Sequence, residues 1–245
     1  MAKKEQKPDG RPTTAEWPVK IWEIHEIPPE FARQAEEWME GDFSEYSFVY
    51  APKRRTKSDS FAYLFGYGKD KVFYLREKLQ DSENPSDTAV EMINFDRAAI
   101  TKVRTTRELL DAKILVYYRG EKDQKMLEFP YVPSVYYLYD PFLIWILGIA
   151  KDFSPALAER EHPRPEKLYH ESLVMFNYAL AAYRLGEIFG EYSCRSEIHR
   201  HKWMPWKKTL EEWMEVSMER GKFELHSIGY LTECTYHVRG KMEEV

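Results

Sequence analysis

The chain holds only two cysteines, Cys194 and Cys234, in 245 residues. Two thiols so far apart in sequence build neither a disulfide framework nor a Cys-x-x-Cys metal knuckle. No long apolar run is present either. The most hydrophobic stretch, Phe142 to Ala150, is nine residues long, against the roughly 20 that a bilayer-crossing helix needs. The first residues, Met1 to Pro12, are polar and carry no apolar segment, which reads as a disordered start rather than a secretory leader. Positive charge is not in excess: 36 Lys plus Arg against 41 Asp plus Glu leave a formal net charge of −5. That removes the overall electrostatic footprint of a general nucleic-acid binder. Glycine and proline, 11 and 14 residues, are too few for a collagen-like or linker-dominated chain. No nucleophile elbow, P-loop, dinucleotide-binding glycine loop or His-Glu-x-x-His helix occurs, and the carboxylates are scattered. No catalytic residue and no cofactor is therefore expected.

What is present is a globular composition. The chain is 43% hydrophobic and 15% aromatic, with seven Trp, so it buries a core. Residues 1–16 are expected to be disordered. Trp17 to Ile24 is rich in strand formers but interrupted by Pro18, which suits an edge strand. Pro28-Pro29 opens a helix whose apolar stripe is Phe31, Ala35, Trp38 and Met39, stopped at Gly41. The period then changes to two. Seven strands are predicted between Tyr46 and Pro130, with hairpins across Gly68-Lys69-Asp70 and Gly120 to Asp123. Asp140-Pro141 starts a helix that is apolar all round.

Residues 152–167, with His162-Pro-Arg-Pro, read as a connector. Beyond it, 168–245 reads as a smaller α+β region. It contains a helix over Leu168 to Leu185, a second helical stripe of Leu210, Trp213, Met214 and Met218, and an extended segment from Phe223 to Val238 with Gly229 as a bulge. Its opening echoes the first helix: Phe31, Gly41 and Glu45-Tyr-Ser47 correspond to Phe176, Gly186 and Glu191-Tyr-Ser193, which suggests a diverged partial repeat. The tail strands are expected to pair with the first domain, with each other, or across an oligomer interface.

Seven antiparallel strands closed by a helix resemble the pleckstrin-homology superfold. The sequence is similar to bacterial PH-like and GRAM-like domains over residues 28–151. The step Trp38-Met-Glu-Gly-Asp42, the aromatic hairpin Tyr63 to Tyr74 and the segment Asn94 to Ile100 carry the likeness. The resemblance implies a PH-like β-barrel or sandwich with a capping helix, filling residues 17–151 of an α+β protein. It also implies a binding or scaffolding role rather than catalysis. Lipid-binding members place cations in the first strand-to-strand loop, where this chain has Lys53, Arg54, Arg55 and Lys57. Arginine forks match phosphate oxygens, so this loop is the candidate anion- or partner-binding site.

Trp203, Trp206 and Trp213 lie in or beside a basic-aromatic run from Arg195 to Lys208 and are the candidate interface residues. His199, His201 and Glu197 with the two thiols offer metal-ligand atoms without metal-ligand spacing, and no metal is expected. His226 and His237 read as half-buried strand residues. The expected function is a cytoplasmic, non-catalytic scaffold that docks a protein partner or its own copy, without nucleic acid. Two alternatives stand beside it. One is a peripheral adaptor that holds anionic membrane headgroups through the basic loop. The other is an enzyme with an unfamiliar site between domains.

Overall fold

All seven predicted strands are strands in the computed structural model, but they are dealt to two open sheets. The structure describes residues 17–54, 60–77, 90–109, 111–147, 166–184, 189–218 and 221–238. The chain forms two compact units, Met1–Phe95 and Asp96–Val245.

In the first unit, strands β1 (Val19–Ile21), β2 (Tyr46–Ala51), β3 (Tyr63–Gly68), β4 (Lys71–Glu77) and β5 (Val90–Asp96) lie side by side in chain order. β1 begins directly after Pro18 and takes the edge of the sheet, where a residue without an N–H costs no ladder bond. Helix α1 (Pro29–Trp38) buries Phe31 and Ala35 in a core with Phe48, Leu64, Phe73 and Leu75. Trp38 stacks on Phe73 at 4.6 Å between ring centroids. Gly66 sits in the middle of β3 because the Phe48 ring crosses it. A Cβ there would lie 2.3 Å from Phe48 Cε1.

The β3–β4 turn has positive φ at Lys69 and Asp70, 43° and 60°. Two such residues in succession are what a tight hairpin turn requires. Lys69 is held there by Glu45, at 2.6 Å, and by the carbonyl of Glu40.

The second unit is one sheet of seven strands. Strands β6 (Ile100–Glu108), β7 (Asp111–Arg119) and β8 (Gln124–Tyr131) form a meander, as do β9 (Phe189–His201), β10 (Met204–Met218), β11 (Gly221–Ile228) and β12 (Leu231–Val238). The sheet order is β8-β7-β6-β12-β11-β10-β9. β12 pairs antiparallel with β6, placing Cys234 opposite Thr105 and Tyr236 opposite Val103. The tail strands thus pair with each other and with a strand of the 17–151 segment.

Neither sheet closes into a barrel. β6 spends its second edge on β12, and the β8 and β9 edges stay apart at the two ends of the order. One face of this sheet is buried and includes Val103, Val116, Phe129, Met214, Phe223 and Tyr236. Phe142 and Leu143 of helix α2 (Asp140–Leu147) are buried, as are Leu168 of helix α3 (Glu166–Glu171) and Met175 of helix α4 (Leu173–Arg184).

Three local expectations are corrected. The single helix predicted over Leu168 to Leu185 breaks at Ser172, whose hydroxyl accepts from the Met175 N–H at 3.3 Å and so caps α4. The helical stripe at Leu210, Trp213, Met214 and Met218 belongs to strand β10 instead. Its true period is two: Glu212, Met214 and Val216 are buried, while Glu211, Trp213 and Glu215 face out. A carboxylate on the buried side disguised the alternation, and Ser172 Oγ donates to it at 2.7 Å. Gly229 is no bulge. Its φ of 59° begins the two-residue turn between β11 and β12.

Asp140, expected to cap α2, is its first helical residue. Its Oδ1 is buried with no hydrogen-bond partner among the described residues, and burial pushes the carboxyl up to about 6. Among the described residues, no helix is long and apolar enough to cross a membrane. Of the connector expected at 152–167, residues 152–165 lie outside the described residues, as do residues 1–16, while Glu166 and Lys167 begin α3.

Candidate functional site

Strands β9 and β10 are 13 and 15 residues long, while their neighbour β11 has 8. β11 pairs with β10 only from Glu211 to Met218. The Gly229 N–H in the β11–β12 turn donates to Leu210 O at 3.3 Å, and before Leu210 β10 pairs with β9 alone. Residues Ile198 to Leu210 therefore form a two-stranded ribbon that leaves the sheet at this turn and runs past it. A ribbon of this kind has no core of its own.

The ribbon carries Arg200, Lys202, Lys207 and Lys208 and no carboxylate. Trp203 is 87% exposed, Trp206 79% and Ile198 62%. The sequence-predicted interface residues Trp203 and Trp206 are thus together on an unsupported, cationic element. Trp213 is different. It is half-buried on the open face of the sheet, stacked on His226 at 5.5 Å with an interplanar angle of 14°. The Arg195 guanidinium lies 4.1 Å from its ring centroid.

β9 also forms one end of the sheet, and its outer edge has no strand partner among the described residues. Every residue from Ser193 to Arg200 is exposed. Unpaired N–H and C=O groups along such an edge are a template for a further strand.

The open face of the sheet holds a shallow concavity of about 510 Å³ lined by Arg104, Arg195, Trp213, Glu224, His226 and Glu233 among others. The titratable groups in and beside it are committed to one another. Both oxygens of Glu211 are used, one by His199 Nε2 at 2.5 Å and one by His226 Nε2 at 2.7 Å. The His226 hydrogen bond, then that of His199, holds the Glu211 carboxyl below the usual range. Arg104 Nε donates to Thr235 Oγ1 at 3.2 Å and its guanidinium lies 3.9 Å from Glu233. Glu224 accepts from His237 and Lys222, at 2.8 and 2.9 Å, which hold its carboxyl down at about 2. Acids and bases paired across neighbouring strands in this way form a ladder that stiffens the sheet.

The candidate metal atoms are not brought together. His199 faces Glu211 and His201 meets Thr209 Oγ1 at 3.0 Å. Cys194 Sγ is 3.0 Å from Glu171 Oε2, while Cys234 is buried. Among the described residues no group of three or more His, Cys, Asp or Glu is placed to hold a metal ion. Burial first, then Glu171, pushes the Cys194 thiol up to about 11, and burial pushes Cys234 up to about 12. Neither is a thiolate at neutral pH, so neither is an activated nucleophile.

Of the basic loop, Lys53 is exposed and Arg54 is half-buried. The Ser60 hydroxyl closes this segment, accepting from Arg54 N at 2.9 Å and donating to Arg54 O at 2.7 Å. Arg55 and Lys57 lie outside the described residues. Sequence reasoning missed the Glu211–His226 ladder and the overhang. The alternation Thr209, Glu211, Trp213, Glu215 was the signal for both. The chain matches no family model, no curated protein and no solved structure.

Proposed function

We propose that this chain is a non-catalytic interaction module that docks a protein partner through the ribbon of β9 and β10. The exposure of Trp203 and Trp206, 87% and 79%, carries the reading. Two indoles held in water add nothing to the fold, yet tryptophan is the residue most enriched where binding energy concentrates. Four cations with no carboxylate beside them favour a partner surface with acidic groups. We also propose that the segment 17–151 is PH-like. Four consecutive strands, β2 to β5, lie in one sheet and three, β6 to β8, in the next, with helix α2 following.

Quantitative affinity purification at native abundance tests the docking reading. The wild-type chain retains a stoichiometric protein companion, which the folded W203S/W206S variant loses. Identical companions for both chains contradict the reading. So does retention on anionic vesicles that survives W203S/W206S and is lost in K53E/R54E, which is the result the membrane-adaptor alternative requires.

A further inference from the structure

We infer that the outer edge of β9 pairs antiparallel with β9 of a second copy of this chain, about a twofold axis at Ser196. The inference rests on reading the ribbon as a docking element, and it names the partner.

β9 ends the sheet and has no proline. After an irregularity at Gly190 and Glu191 its register is unbroken from Tyr192 to Arg200. Monomeric proteins blunt such edges with prolines, bulges or charged side chains, which repel a second copy unless opposite signs fall face to face. Here the charges are of both signs, and their order is self-complementary. With Ser196 on the axis, Arg195 falls opposite Glu197 of the second copy and Tyr192 opposite Arg200, the two ends of the regular part of β9. Symmetry makes each of these pairs twice. Opposite charges directly across a strand pair stabilise it, and like charges oppose it.

The neighbouring registers lack this match. Placing the axis at Arg195 sets arginine against arginine, and placing it at Glu197 sets glutamate against glutamate. Glu191, Glu197 and Arg200 have no side-chain partner among the described residues, whereas Glu211, Glu215, Glu224 and Glu233 are paired within the chain. Arg195 is already ordered on the open face by Trp213. Pairing over the regular part of β9, Tyr192 to Arg200, forms about eight backbone hydrogen bonds. It carries the hairpin tip with Trp203 past Tyr192 of the second copy. There the cationic ribbon, +4, meets a chain whose remaining residues sum to −5 − 4 = −9.

Sedimentation of the full chain tests this. The wild type is a concentration-dependent dimer. R195E and E197R each lower the association constant about 100-fold, because each sets two like-charged pairs face to face. An equimolar mixture of the two variants dimerises again, since the glutamate introduced in one chain then meets the arginine introduced in the other. The double swap R195E/E197R dimerises on its own. A second measurement does not depend on these charges. With Cys194 replaced by Ser, S196C forms an intermolecular disulfide under mild oxidant, and R195C and E197C do so far less. The inference is overturned by a wild-type monomer at about 100 µM, by folded single variants that fail to associate when mixed, or by cross-linking centred away from Ser196. A monomer that still retains a companion lost in W203S/W206S leaves the docking reading standing and removes the self-pairing. A monomer with no companion removes both.

Discussion

Replacing Gly66 with Ala tests the packing of the first unit at its tightest point. A methyl at this position lies 2.3 and 2.4 Å from Phe48 Cε1 and Cδ1. Carbon atoms settle at about 3.5–4.0 Å, so the ring must retreat by more than about 1 Å. It has nowhere to go. Phe48 is fully buried, stacked on Phe43 at 5.6 Å and edge-on to Trp38 and Phe73 at 6.2 and 6.4 Å. Overpacking of this kind costs about 1–3 kcal/mol, and the entropy that alanine saves in the unfolded chain returns about 0.4–1 kcal/mol. The net loss is centred at about 1.3 kcal/mol and is no more than about 2.6 kcal/mol. Urea unfolding followed by tryptophan fluorescence, which reports Trp38 beside the ring, measures it. The same substitution in an F48A background supplies the control. There the methyl fills space that the ring vacated, and the cost vanishes or changes sign. A neutral G66A, or an equal cost in both backgrounds, refutes the reasoning.

Two predictions concern pH. Glu224 is held down at about 2 by His237 and then Lys222. The stability it contributes is therefore full above its ordinary value of 4.5 and is lost as pH falls from there toward 2. The pair is partly exposed, so the loss is no more than about 1 kcal/mol, and E224Q flattens that limb of the acid-unfolding curve. Asp140 has the opposite sign. Its carboxyl rises from 3.8 to about 6, so the fold favours the protonated form and loses stability as pH climbs through that window. D140N stays neutral and is expected to be more stable than wild type at pH 7.5 by about 1 kcal/mol after discounting for solvent. Thermal melts across pH check both, and a D140N chain less stable than wild type at neutral pH contradicts the second.

The strands of the first unit were legible because each has a simple period and a turn residue at its end. Aromatic alternation in Tyr63 to Tyr74 and the positive φ at Lys69 and Asp70 belong to one local hairpin. The second sheet was harder to read for two reasons. β12 pairs with β6 across more than a hundred residues, and no local pattern announces a partner so remote. Glu212 lies on the buried side of β10, satisfied by Ser172 from another element, so a real strand lost its alternation and resembled a helix. The candidate site shared this fate. Trp203 and Trp206 stood out by type, but their exposure follows from β10 outrunning β11, a matter of relative strand length rather than of composition. The His and Glu residues of the open face acquire partners only through the register of β9, β10 and β11.

Cross-linking from position 206 in living cells tests the docking claim most directly. A photo-reactive residue replaces Trp206 in one chain and, as a control, the 64% exposed Tyr137 in another. The account predicts one discrete protein adduct from position 206, identified by mass as a second copy of this chain, and none from position 137. No adduct from position 206 above that of position 137 contradicts it.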